Sequence, residues 1–365
     1  MSYTMKQYDM QDDATRRKVF WLLKRLTSYS LWEKKRDAWE VFTKAFENAV
    51  KTWPESDPEH MQADDLPRIY DILSLYNKGL PELAKGYRFI WREGQAFELA
   101  HTNANVVARY LYTDGNYWDH GSQMAPYPPK VEALNKLMLA SKYDGDQAPL
   151  EILYLPHTTA YWTGPGNLLN PESYKYGFYE LPYPVFPELL PEVPDGSDTI
   201  IQSGQTVPAD GIWEPVKMEQ DKVLGIIPTG EKTVSNNGCF NYFVRETKAP
   251  KLTGKYNNAT SRYDNISTHW RLLWEDTRYK DGIIPDESEY FLEAKPTVVS
   301  PDLTTTPPAD VRTGELCPAS GLWAAKGYNS PPIQILEGRV MPDLMVRQVG
   351  EMRVHFVTWQ FVKPV

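Results

Sequence analysis

Ser203-Gly204-Gln205-Thr206-Val207-Pro208-Ala209-Asp210-Gly211-Ile212-Trp213 and Thr313-Gly314-Glu315-Leu316-Cys317-Pro318-Ala319-Ser320-Gly321-Leu322-Trp323 are two copies of one pattern, (S/T)-G-x-x-x-P-x-x-G-(I/L)-W. At the chain's own glycine, proline and tryptophan frequencies, the four fixed identities begin at a given position with a probability of roughly 10⁻⁵, so the second copy marks an internal repeat. Proline presets φ for a turn, a glycine three residues later can take a positive φ, and a tryptophan two beyond it points to the same side of a strand. Gly204, Pro208, Gly211 and Trp213, and Gly314, Pro318, Gly321 and Trp323, are therefore expected to be structural residues in the order turn, anchor, strand. The two tryptophans read as buried anchors, with surface hot spots as the alternative.

Downstream, Val223-Leu224-Gly225-Ile226-Ile227 and Ile333-Gln334-Ile335-Leu336 supply the expected next strand of each copy. Gly230-Glu231-Lys232 and Gly338-Arg339-Val340 supply the turn after it. Asn236-Asn237-Gly238 ahead of Cys239 to Val244 is a further turn entering a strand. The region 198–365 is thus expected to be β-rich and to hold two related small twisted modules of the SH3-like barrel kind, at about 203–245 and 313–350.

Upstream the texture is helical. Between Leu31 and Trp53 there is no proline or glycine, and Trp32, Trp39, Phe46 and Trp53 recur every seven residues with Phe42 and Ala49 between them. That spacing builds one apolar helix face, which reads as core packing rather than a ligand-stacking platform. Pro54 closes the pattern. Further helices are expected over Ala63–Lys78, Gln95–Thr113 and Lys130–Lys142. Residues 1–145 therefore read as an α-helical domain, and the fold class is α+β. Between them, 146–197 is a connecting segment in which prolines from Pro156 to Pro194 interrupt dense Tyr, Trp and Phe. Regular helices cannot persist there. Two readings stand: an irregular strap packed on the core, or a partner-facing surface.

The 365 residues carry ordinary globular proportions of apolar and charged side chains, 41% and 24%. Two cysteines exclude a disulfide framework and fit a reducing compartment. No secretory signal or membrane-length apolar run is visible, so a soluble cytoplasmic protein is expected. The net charge of -9 arises wholly after residue 145. Such a surface argues against nucleic acid and favours a basic partner if a charged partner exists.

Tyr29 to Lys35, Asp65-Leu66-Pro67-Arg68, Ser203 to Val216, Gly238 to Tyr242 and Gly321 through Pro342 resemble the large bacterial polymorphic-toxin immunity proteins of the immunity protein 71/72 type. The resemblance implies a protein that binds and neutralises a cognate toxin, encoded by a neighbouring gene, in interbacterial competition through contact-dependent or type VI secretion. It implies no catalytic residues and no cofactor. A non-catalytic adaptor of a secretion apparatus, or an enzyme reversing toxin damage, are the alternatives.

The residues agree with that implication as far as they go. None of the six histidines has metal-ligand spacing to another His, Cys or carboxylate pair, and Asp119-His120 reads as a surface loop. Cys239 reads as a small buried hydrophobe, and no phosphate-loop or nucleophile-elbow pattern occurs. For the partner, the longest single-signed stretch lies between Lys175 and Lys217, and Glu180, Tyr183, Phe186, Glu188, Glu192, Asp195 and Asp198 are its candidate toxin-binding residues. Aromatic anchors with acidic neighbours suit an interface, against the plainer reading of a solvated face. Glu275, Asp276, Asp281, Asp286, Glu287, Glu289 and Glu293 form a second acidic run.

Overall fold

The computed structural model describes residues 8–143, 160–161, 165–176, 179–180, 182–219, 222–223, 227–228, 233–293, 308–328, 330–348 and 351–364. Helix α1 (Asp13–Leu26) begins where the Asp12 carboxylate accepts from the Thr15 backbone N–H at 2.8 Å. Ser28 does the same for α2 (Tyr29–Thr52), accepting from the Leu31 N–H at 3.3 Å. Helix α2 ends at Trp53, which is extended as the residue before a proline must be. Helices α3 (Leu66–Leu83), α4 (Ala96–Tyr110) and α5 (Pro129–Tyr143) complete the helical part, so three of the expected helices shift by a few residues and α1 is additional.

The seven-residue aromatic stripe of α2 faces inward. Trp32, Trp39, Phe42 and Phe46 are buried, Trp32 stacks on Phe97 with ring centroids 4.2 Å apart, and the Trp39 indole N–H donates to the Ile69 carbonyl at 3.0 Å. Lys35 is buried on the same helix because its ammonium donates to the Ser141 carbonyl of α5 at 2.8 Å.

After the helices come sheets. In the first, β1 (Ile200–Gln202), β2 (Gly211–Glu219), β3 (Thr233–Asn236), β4 (Asn241–Phe243) and β7 (His269–Glu275) are antiparallel in the order β3-β2-β7-β1, with β4 also on β2. A hairpin of β5 (Lys251–Asn257) and β6 (Arg262–Ile266) lies between β4 and β7 in the chain. In the second, β8 (Val311–Arg312), β9 (Gly321–Ala325), β10 (Ile333–Ile335) and β13 (Thr358–Pro364) run β8-β13-β9-β10, and β11 (Leu344–Gln348) pairs with β12 (Glu351–His355).

The repeat is a repeat of structure. Gly211 opposes Glu275 and Phe243, as Gly321 opposes Pro364 and Ile335, and each long pairing carries one register shift. Several hydrogen bonds recur at equivalent positions. Gly204 N–H donates to the Ala249 carbonyl at 2.7 Å and Gly314 N–H to Met341 at 2.8 Å. The Trp270 indole donates to the Pro250 carbonyl at 2.9 Å and the Trp359 indole to Pro342 at 3.0 Å. The hydroxyls of Ser203 and Thr313 each accept a backbone N–H, from Thr268 and Val357, at 3.0 Å.

Two glycines per copy have distinct duties. Gly204 and Gly314 both sit at φ +88° in the turn, a conformation that favours glycine. Gly211 and Gly321 are instead required by close approach: a Cβ would stand 2.0 Å from the Trp274 carbonyl oxygen at the first and 2.3 Å from the Phe361 ring at the second. Trp213 and Trp323 are fully buried, each in the core of its own sheet.

Two expectations are corrected. The strand equivalent to Ile333–Ile335 is Asn241–Phe243, not Val223 to Ile227, because the first copy carries extra chain between its second strand and that partner. Lys222–Val223 and Ile227–Pro228 pair with each other, while 224–226 and 230–232 lie outside the described residues. The sheets are open paths, and no closed barrel forms among the described residues.

The chain divides into two compact units, Met1–Ala294 and Lys295–Val365. Within the first, helices and first sheet share one core, since Ile212, Phe240, Tyr242, Val244 and Leu273 cluster with the buried residues of α1 to α5. The second unit has its own small core around Trp323 and Trp359.

Candidate functional site

The acidic aromatic stretch forms neither helix nor strand over 182–199, and its two residue types separate. Phe186 lies against Trp21 of α1 with centroids 5.3 Å apart, and Leu190 and Val193 pack on the helical core beside it. Tyr183 meets Tyr174 at 4.9 Å and Phe186 at 6.1 Å, and its hydroxyl donates to the Leu169 carbonyl at 2.8 Å. Glu180 stands opposite Lys175 in a two-residue strand pair. Arg17 fastens the segment from α1, donating to the Leu190 carbonyl at 3.5 Å and facing the Glu192 carboxylate at 3.6 Å. The aromatic side chains thus anchor the segment, while Glu188, Glu192, Asp195 and Asp198 remain exposed along its outer side.

Leu189, next to Glu188 on the same segment, is 91% exposed. Nothing in the pattern of acids and rings singled it out, because one leucine between Glu188 and Leu190 has no periodic signature. An exposed apolar side chain on an acidic segment adds to charge the contact area that an interface buries on docking.

Of the remaining acids, Glu275, Asp281, Asp286, Glu289 and Glu293 are exposed, while four others turn inward or into local hydrogen bonds. Glu214 is fully buried, where it accepts from Arg271 Nε at 2.8 Å and Asn236 Nδ2 at 3.1 Å and faces Arg16 of α1 at 3.5 Å. Asp210 accepts the Arg245 N–H at 2.7 Å. In the second run, Asp276 and Glu287 leave the surface altogether. Asp276 accepts from Arg88 Nε at 3.0 Å, Arg278 Nε at 2.9 Å and the Tyr242 hydroxyl at 2.7 Å. Burial alone raises a carboxyl, but the guanidinium groups of Arg278 and Arg88 outweigh it and hold Asp276 well below the usual carboxylate range. Burial likewise pushes the Tyr242 phenol far up, so it stays a hydrogen-bond donor to Asp276. Glu287 accepts from the Ser30 N–H at 2.8 Å and from the Tyr279 hydroxyl, which in turn accepts the Tyr29 N–H at 2.9 Å. These acids therefore join the sheet side of the first unit to the helices.

The other residues with chemical potential are separated. Cys239 and Cys317 are both buried and form no disulfide. Asp119 and His120 lie at the tip of a two-residue hairpin, 3.2 Å apart and exposed. Among the described residues, no three His, Cys, Asp or Glu side chains converge as metal ligands, and no helix is long and apolar enough to cross a membrane.

Comparison with known families matches two parts of the chain. Residues 10–114, which hold α1 to α4, match the family described as Immunity protein 71, and residues 192–292, which hold the outer strap end and the first sheet, match Immunity protein 72. Searches of curated proteins and of solved structures return no match.

Proposed function

Because the chain is an immunity protein of the 71/72 type, we propose that it neutralises a cognate toxin by stoichiometric binding, in the cytoplasm of the cell that makes both. The toxin is encoded by a neighbouring gene and delivered in interbacterial competition by contact-dependent or type VI secretion. The acidic strap is the proposed docking surface: Glu188, Glu192, Asp195 and Asp198 face solvent along the same segment as Leu189, and Phe186 fastens that segment to α1. A docking element held on a rigid core loses little conformational freedom on binding. Its carboxylates attract a basic toxin face and speed encounter, while Leu189 supplies apolar contact.

The exposure of Leu189 on a segment whose four acids also face solvent carries this assignment. The test is co-expression of this chain with the C-terminal domain encoded beside it, scored for rescue of growth and for a one-to-one complex. Replacing Glu188, Glu192, Asp195 and Asp198 by lysine is expected to lower the association rate at low salt by about tenfold or more, with the salt dependence lost. Leu189→Ala is expected to act on dissociation instead. An association rate unchanged by the four reversals removes the strap from the interface; absence of rescue by the wild-type chain removes the toxin.

A further inference from the structure

The two sheets share strand order, register and bulge, yet their outer faces have different fates. In the first unit that face belongs to the helical core, and α1 lies across it. Arg16 stands 4.8 Å from the Phe240 ring centroid and reaches Glu214, Phe20 meets Trp274 edge-on at 6.1 Å, and Lys24 lies 5.4 Å from Trp274. Arg16, Phe20 and Lys24 are spaced by four along α1, so a single helix stripe makes all these contacts.

The shared register carries each position of that face onto the second sheet. Leu322 takes the place of Ile212, Leu336 of Val244, Val362 of Leu273, Ala324 of Glu214 and Lys363 of Trp274. The first-sheet apolar members, Ile212, Val244 and Leu273, are buried; Leu336 is 45% and Val362 50% exposed. The opposite side of the second sheet already packs its own core around Trp323 and Trp359, so these side chains are surplus to it.

We propose that this outer face of the second sheet docks an amphipathic helix of the toxin, lying across β9 and β13 as α1 lies across β2 and β7. The proposal rests on the toxin-binding reading above and adds a surface distinct from the acidic strap. The substitutions between the copies specify the helix. Ala324 in place of Glu214 leaves no carboxylate for a cation where α1 has Arg16, so an apolar residue belongs there. Lys363 in place of Trp274 calls for a carboxylate where α1 has Lys24. The occupant therefore presents two apolar residues and then an Asp or Glu at intervals of four.

The experiment uses the full chain and the adjacent gene's C-terminal domain, with its toxicity inactivated, in titration calorimetry and in hydrogen exchange. Leu336→Asp with Val362→Asp is expected to weaken binding about tenfold or more. Lys363→Glu is expected to weaken it by several-fold, while Val41→Asp, an exposed valine on α2, leaves it unchanged. In the wild-type chain, amides of Gly321–Ala325 and of residues 358–363 should gain protection when the toxin domain is added, a readout that needs no variant. Unchanged affinity of the double variant, or a face equally protected before the toxin is added, overturns the proposal. So does self-association that vanishes in the double variant, which assigns the face to a second copy. Loss of binding on strap reversal with no effect here leaves the strap standing and sinks only this face; a wild-type chain that does not bind sinks both.

Discussion

At the residue scale, the side chain on which most depends is Asp276. It holds Arg88 and Arg278 together in the interior, and Arg278 passes on to the Lys24 carbonyl at 2.9 Å and the Thr27 hydroxyl at 2.6 Å. Two guanidinium groups without their carboxylate are far costlier than the intact cluster is stabilising, because an uncompensated buried charge loses its hydration with no return. Asp276→Asn is therefore expected to destabilise the first unit by roughly 3–5 kcal/mol, read from urea unfolding followed by the helical signal. The pH dependence has a definite sign. The folded carboxyl lies below its unfolded value, so its contribution is present above the ordinary carboxylate range, about pH 4, and is lost as pH falls toward the depressed folded value. The wild-type chain should lose stability through that acid range more steeply than Asp276→Asn. Equal slopes would mean that the cluster is not the source of the acid sensitivity.

At the scale of elements, the N-terminus of α2 shows how far a helix depends on residues distant in the chain. Ser28 satisfies one N–H locally, but the Tyr29 and Ser30 donors go to Tyr279 and Glu287. Glu287→Ala is expected to cost about 1–2 kcal/mol, since it strands the Ser30 donor and the Tyr279 hydroxyl together. Thermal melting and faster amide exchange at Ser30 and Leu31 would register the loss, and unchanged exchange there would show that the cap is idle. The same element explains what could be read from sequence. Helix α2 was legible because Trp32, Trp39 and Phe46 keep a period and the opposite face is wet. Helix α1 was not, because Val19, Phe20, Trp21, Leu22 and Leu23 form one continuous apolar run, all buried, with the strap against Trp21 and the sheet against Phe20, and the spacing within such a run does not tell a helix from a buried strand. The repeat was legible through its glycines, prolines and tryptophans, but the extra chain before β4 displaced the second strand from its sequence counterpart. Of the acidic runs, Glu188, Glu192, Asp195 and Asp198 face solvent, whereas Asp276 and Glu287 point inward because Asp276 meets Arg88, from the connection between α3 and α4, as well as the nearby Arg278, and Glu287 meets the Ser30 N–H of α2, distant partners that a local charge count does not include.

At the scale of the molecule, duplicated sheets in unequal surroundings should respond unequally to the same change. Trp213 and Trp323 occupy the same register, are both fully buried, and each anchors the core of its own sheet. Truncating either to alanine removes contacts worth roughly 3–5 kcal/mol. The second unit, Lys295–Val365, relies on the small cluster around Trp323, Trp359 and Met341, and a body of that size seldom has more than about 3–5 kcal/mol in total. Trp323→Ala should therefore unfold it outright at ambient temperature, with amides of β9 and β13 losing protection while the helical melting transition stays in place. The first sheet shares its other face with the helices through Ile212, Tyr242 and Leu273, so Trp213→Ala should lower the helical transition without abolishing folding. If the helical transition moved equally in both variants, the two units would be one cooperative body. With the units separable, Trp323→Ala also becomes the coarse control for toxin docking: it deletes the second sheet's outer face while leaving the acidic strap on its helix, so any binding that survives must come from the strap.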